Sequence, residues 1–111
     1  MWSAPESDGP NACISAAVLD LRTIAPYDWD AIAALVKKTS RVVVAHEDQL
    51  TCGFGAEIAA RIAERGLVSL LAPIERVAGW DTVMPLPRLE QDYLPSEARI
   101  LDAARRVLAY Q

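Results

Sequence analysis

Between Arg41 and Glu64 the hydrophobic period of the chain changes once, and that change constrains the fold more than any other feature. Val42, Val43 and Val44 form a short β-branched run, the pattern of a strand buried on both faces. His46 and Glu47 stop the run, and Asp48-Gln49-Leu50-Thr51 connects it to a pair of glycines, Gly53 and Gly55. From Phe54 apolar residues return every four positions, at Phe54, Ile58 and Ile62, with Ala59 and Ala63 beside them. That is one apolar face of a helix. A buried strand, a polar turn and a glycine-started helix make half of an α/β crossover unit.

The other segments read as layers around this unit. Residues 1–13 hold Pro5, Gly9 and Pro10 among small polar residues and read as an irregular lead-in, with Trp2 suited to dock on an apolar surface. Residues 16–21, with Val18 and Leu19 adjacent, read as a strand. Pro26 disfavours helix at Ala25, and Asp28 is a fitting N-cap for a helix over residues 29–39. Trp29, Ile32, Leu35 and Val36 share one stripe of it, and Lys37 and Lys38 suit its negative C-terminal dipole end. After the central helix, Gly66 fits a C′ stop. Residues 67–72 fit a helical turn and a strand equally well. Residues 74–78 alternate apolar and polar, as a half-exposed edge strand would. Pro85 and Pro87 with no period make residues 79–94 a long surface loop. Ser96 then caps a final helix whose Ile100, Leu101, Ala104, Val107 and Leu108 share a face. The expected fold is α/β in three layers: a small, mostly parallel sheet of three to four strands, joined by right-handed crossovers and flanked by helices.

The totals exclude several functions. With 111 residues, 52% of them hydrophobic, the chain can build one packed domain and not two. A formal charge of −4 argues against nucleic acid, whose phosphates need a basic patch, and no lysine block suits an acidic membrane surface. No apolar run is long enough to span a bilayer. Cys13 and Cys52 lack metal-like spacing and read as reduced thiols, and a single histidine excludes the usual mixed His/Cys zinc cage. The expectation is a soluble, intracellular protein.

Two sets of residues could carry function. Polar residues end both presumed strands, and Gly53 and Gly55 open a helix, a natural anion site. Arg22, His46, Glu47, Gly53 and Gly55 are therefore a candidate anion or small-ligand cleft, placed where open α/β sheets bind ligands. The competing reading pairs Arg22 with Glu47 or Asp20 and leaves the turn simply capped; structural ion pairs are the commoner case. Gly53-Phe54-Gly55-Ala56-Glu57-Ile58 matches only two glycines of the dinucleotide fingerprint, with bulky Ile58 at the third. His46-Glu47 lacks the second histidine of a zincin helix, because Leu50 stands there. As a general base His46 would need Thr51 or Cys52 at hydrogen-bond distance. A Cys52 thiol near a helix start could be activated, although a buried, inert thiol is the commoner case. The second set is a candidate interface: Trp80, Asp81, Met84, Leu86 and Tyr93, with Leu89, would form an exposed apolar patch along the loop.

Read in order, several stretches resemble one family. Asp20-Leu21-Arg22-Thr23-Ile24-Ala25-Pro26 followed by Asp28 is similar to the opening motif of the transketolase C-terminal domain. Val42-Val43-Val44-Ala45-His46-Glu47, Gly53-Phe54-Gly55-Ala56-Glu57-Ile58, Ala72-Pro73, Arg76-Val77-Ala78-Gly79 with Asp81-Thr82, and Tyr93-Leu94-Pro95 follow in register. Within that family the chain is most similar to the beta subunit of the 2-oxo acid dehydrogenases, of branched-chain 2-oxoisovalerate or pyruvate type. The resemblance implies that residues 14–111 form a C-terminal assembly domain, inactive alone. It implies thiamine diphosphate and magnesium for the complete enzyme, held by residues outside this domain. No catalytic, cofactor or metal residue is therefore carried onto this chain.

The partners implied are an alpha subunit, the N-terminal half of the beta subunit and the acyltransferase core. A homo-oligomer is expected, located in the cytoplasm or, in a eukaryote, the mitochondrial matrix. Two departures stand out. Cys52 replaces the small residue, such as glycine, that the family carries, and the strand and helix that open the family domain have no counterpart before Ile14. Losing them would expose a sheet edge, so oligomerisation or segment exchange is expected. The alternative reading is a free-standing small-anion-binding or regulatory domain on the same scaffold.

Overall fold

The computed structural model describes residues 14–110. The expected lead-in at residues 1–13, with Trp2 and Cys13, lies outside the described residues. In chain order the elements are α1 (Trp29–Thr39), β1 (Val43–Gln49), α2 (Phe54–Gly66), β2 (Glu75–Gly79), α3 (Glu90–Tyr93) and α4 (Glu97–Ala109), with 3₁₀ turns at Leu67–Ser69 and Pro87–Leu89. β1 and β2 pair in parallel, Val43 opposite Glu75 and Ala45 opposite Val77, with an irregularity before Gln49 meets Gly79. α2 is the crossover between them.

Alternation along β1 divides the molecule into layers. Val42 and Val44 turn toward a core built from Ile32 and Val36 of α1 and Ile58 and Ile62 of α2, joined by Phe54, Tyr27, Trp29 and Ile74. The other face of the sheet carries α4, whose Ala103 and Val107 are buried. Both predicted caps form. Asp28 Oδ1 accepts the Ala31 N–H at 3.0 Å, and Ser96 Oγ accepts the Arg99 N–H at 3.2 Å. No helix among the described residues is long and apolar enough to cross a membrane.

Six expectations are corrected. The α/β class with a parallel sheet is as expected, but among the described residues the sheet has two strands rather than three to four. Residues 16–21 form no strand, because no ladder partner lies beside them among the described residues, and Val18 is left 89% exposed. β1 does not stop at His46; it runs on to Gln49, since backbone pairing with β2 is indifferent to the polarity of the side chains. Gly66 is no left-handed stop: its φ is −130°, and the helix tightens directly into the Leu67–Ser69 turn. β2 is less exposed than its alternation indicates, because Val77, Ala78 and Gly79 are all buried. The loop after β2 contains α3, closed by Leu94 N–H donating to Glu90 C=O at 3.0 Å.

The turn between β1 and α2 holds Cys52. Its φ is +60°, in the left-handed region where a β-carbon is strained. Glycine suits this backbone, so Cys52→Gly is expected to stabilise the fold by about 0.5 kcal/mol, the relieved strain slightly exceeding the added chain entropy. Urea unfolding measures it; a loss of stability would show that the exposed thiol makes a contact of value.

Candidate functional site

The cleft expected at the strand ends forms only in part. Arg22, His46 and Gly55 border one cavity of about 400 Å³ between residues 17–24 and β1, while Glu47 and Gly53 lie outside its lining. Arg22 is exposed and pairs with Asp20 at 3.4 Å, the simpler of the two readings of its charge. It does so from a left-handed backbone, φ +54°, with its own N–H donating to Asp20 Oδ1. The walls deeper in the cavity are apolar, with Leu35, Val44 and Ile58 among them.

The two glycines serve close packing. A β-carbon on Gly55 would stand 2.2 Å from His46 Nε2, and one on Gly53 would stand 1.9 Å from the Gln49 carbonyl oxygen. The imidazole thus packs against the start of α2, where only a bare α-carbon leaves room for it. Both ring nitrogens of His46 are buried without a hydrogen-bond partner among the described residues. Neither Thr51 nor Cys52 donates to the ring. Thr51 is instead committed elsewhere, and Cys52 is exposed rather than buried.

That commitment joins the site to the second candidate set. Thr51 Oγ1 and Thr51 N–H both donate to the Asp81 carboxylate, at 2.5 and 2.8 Å, across the ends of β1 and β2. Gln49 Nε2 adds a bond to Thr82 C=O at 2.9 Å, and Arg76 reaches Leu50 C=O at 3.0 Å. The Thr51 hydroxyl first, then its N–H, hold the Asp81 pKa below the usual aspartate value. A depressed carboxylate stabilises the fold above its unfolded value, near pH 4, and that contribution fades as pH falls through the folded value. Carbon-detected NMR titration is expected to find Asp81 low in the parent chain and higher in Thr51→Val, which loses the hydroxyl bond and keeps the N–H bond. An unchanged Asp81 in the variant would refute the assignment.

Trp80 is half-exposed, donates Nε1–H to Asp92 C=O at 3.0 Å, and carries the Arg99 guanidinium over its ring at 4.6 Å. Arg99 also donates to Ala78 C=O at 2.8 Å, which fastens α4 to the end of β2. Met84, Leu86 and Leu89 are exposed, together with Val83. Tyr93 is not on this face. It is buried against Gly79, where a β-carbon would meet its ring at 2.6 Å. Asp81 is exposed but engaged by Thr51.

Sequence reasoning missed three arrangements: Thr51 with Asp81, Tyr93 on Gly79, and Arg61 stacked 4.9 Å from Trp29 while donating to the Tyr27 hydroxyl at 2.8 Å. The first two join residues distant in the chain and have no periodic signal. The third left a trace, because Arg61 and Arg65 stand four apart on one stripe of α2 and both face Trp29.

Thiamine diphosphate and magnesium, implied above for a complete enzyme, find no fit in these residues. No group of three His, Cys, Asp or Glu side chains gathers to hold a cation among the described residues. At the start of α2 the glycine α-carbons are covered by the His46 ring and the Gln49 carbonyl, which offers a diphosphate an acceptor rather than a donor.

The similarity to known proteins agrees with the pattern read from the motifs. The family described as Transketolase, C-terminal domain, matches residues 8–100. The Arabidopsis thaliana protein named 2-oxoisovalerate dehydrogenase subunit beta 2, mitochondrial, is 45% identical over 103 residues, which is 93% of this chain and 28% of that protein. The Bacillus subtilis pyruvate dehydrogenase E1 component subunit beta is 45% identical over 105 residues, 95% of this chain and 31% of the relative. The Mycobacterium tuberculosis 3-methyl-2-oxobutanoate dehydrogenase subunit beta is 48% identical over 91 residues, 82% of this chain and 26% of the relative. The chain therefore spans less than a third of the length of these curated relatives. With the parallel crossover, the glycines under His46 and the motifs in register, these matches lead to one statement: the chain belongs to the transketolase C-terminal domain family.

Proposed function

We propose that the chain acts as the C-terminal assembly domain of a 2-oxo acid dehydrogenase beta subunit and performs no decarboxylation by itself. The observation that carries this reading is the 45–48% identity, over most of the chain, to beta subunits named for 2-oxoisovalerate, pyruvate and 3-methyl-2-oxobutanoate dehydrogenases. The substrate of the whole enzyme is a branched-chain 2-oxo acid or pyruvate. Thiamine diphosphate and magnesium are bound by other parts of that enzyme. The alpha subunit, the remaining part of the beta subunit and the acyltransferase core are the partners in this reading.

Support also comes from the segment after β2. Trp80, Val83, Met84, Leu86 and Leu89 are all more than two-fifths exposed, on a segment held in place by Thr51, Asp92 and Arg99. An apolar surface kept on a fixed scaffold suits subunit contact better than catalysis.

A chimera tests the reading. Residues 14–110 replace the matching stretch of the Bacillus subtilis beta subunit, and assembly with its alpha subunit and pyruvate turnover are measured. An assembled, active chimera is expected, alongside no 2-oxo acid turnover by the isolated chain. A folded chimera that does not assemble, or turnover by the isolated chain, would overturn it.

A further inference from the structure

A slot runs along the free edge of β1. Glu75 N–H donates to Val42 C=O at 3.2 Å, so in a parallel ladder Val42 and Val44 direct their backbone groups toward β2. Val43 and Ala45 direct theirs to the opposite edge, where no described strand lies. Residues 16–20 form the far wall. Cavities of about 400 and 610 Å³ open on the two faces of the slot, and both are bordered by Ala17 and Leu19 on one side and Val43 and Ala45 on the other. Leu35 and Val36 of α1 cover one face; Val107 and Leu108 of α4 cover the other.

We propose that a second copy of this chain fills the slot with its own residues 16–21, and that the exchange is reciprocal. An occupant must be extended, to pair with the backbone groups of Val43 and Ala45, and apolar on both faces, to match the two walls. Ala16-Ala17-Val18-Leu19 meets both conditions and has no strand partner among the described residues, with Val18 89% and Leu19 39% exposed in one copy. Residues 1–13 meet them poorly, because Pro5 and Pro10 lack the N–H a central strand must donate.

Reciprocity closes the arrangement. Each copy's segment lies between the partner's β1 and the partner's own segment, which joins two two-stranded sheets into one of six strands around a two-fold axis. The contact is self-complementary, and the exposed inner edge disappears from both copies. The proposal concerns the 111-residue chain itself and is independent of its reading as part of a dehydrogenase.

Light scattering on the size-exclusion peak of the 111-residue chain tests it. The parent chain is expected at twice its 12.1 kDa mass. Val18→Lys alters a side chain that a single copy leaves in solvent, so it is expected to halve the mass with the far-UV circular dichroism unchanged. Val18→Ile keeps the apolar, β-branched character and is expected to remain dimeric. Val68→Lys, at a residue 99% exposed outside the slot, is expected to leave the dimer intact. A monomeric parent chain would overturn the proposal and leave residues 1–13 or a strand from a longer protein as occupant. A dimer that survives Val18→Lys would overturn it equally, by placing the contact elsewhere.

Discussion

Gly55→Ala is expected to destabilise the fold by about 3 kcal/mol, near the upper end for overpacking a core. The added methyl would stand 2.2 Å from His46 Nε2, 2.3 Å from His46 Cδ2 and 3.3 Å from Val44 Cγ1. The ring has little freedom to move, since it hangs from the middle of β1 and both its nitrogens are already buried. Relief must come from lifting the first turn of α2 off the strand, which strips Phe54 and Ile58 from the core. For a domain of this size the loss corresponds to a fall in Tm of roughly 15 °C.

His46→Ala combined with Gly55→Ala is expected to recover part of that loss, because the vacated ring volume accepts the methyl. The double-mutant cycle isolates the contact. Gly66→Ala is the opposite case. Its β-carbon would meet Val36 Cγ1 at 3.7 Å and Ile62 Cγ2 at 3.9 Å, ordinary contacts, so a gain of about 0.5 kcal/mol is expected from reduced chain entropy. A neutral Gly55→Ala in urea unfolding would mean that the imidazole is not seated on α2.

Ile62→Ala is expected to cost about 4 kcal/mol. Ile62 is 1% exposed and is the largest fully buried side chain among the described residues, held among Ile32, Val36 and Ile58. Truncation loses the transfer free energy of the missing carbons and leaves a cavity that α1 and α2 cannot close without separating. Leu101→Ala, on α4 and 41% exposed, is the comparison and should cost less than about 1 kcal/mol. Equal effects at the two positions in chemical denaturation would place the core elsewhere.

Both results bear on the candidate site. If Gly55 is required by His46, the Gly-Phe-Gly run is explained by helix–strand packing, and its two-glycine match to the dinucleotide fingerprint needs no ligand. Arg22 supports the same conclusion, since its charge is taken by Asp20 in solvent and not directed at the glycines. The exposed surfaces left to the proposals above are apolar: the residues from Trp80 to Leu89, and the slot beside β1.

The local elements were legible from the sequence because each is written in neighbouring residues. Asp28 and Ser96 signalled their caps through short side chains placed ahead of apolar periodic runs, and both accept the N–H expected of them. The fourfold spacing of Phe54, Ile58 and Ile62 announced the face of α2 that enters the core, and Val42-Val43-Val44 announced the strand it packs on. Motif order alone was enough to indicate the family.

Tertiary structure decided everything that depends on a partner distant in the chain. Whether residues 16–21 are a strand is not a property of Val18 and Leu19, since a strand exists only when another backbone lies alongside to complete its hydrogen bonds. No local pattern records that Gly79 is buried beneath the ring of Tyr93, or that Thr51 binds the Asp81 carboxylate across two strand ends. Periodicity reports which side of an element avoids water; only the folded chain determines what that side meets.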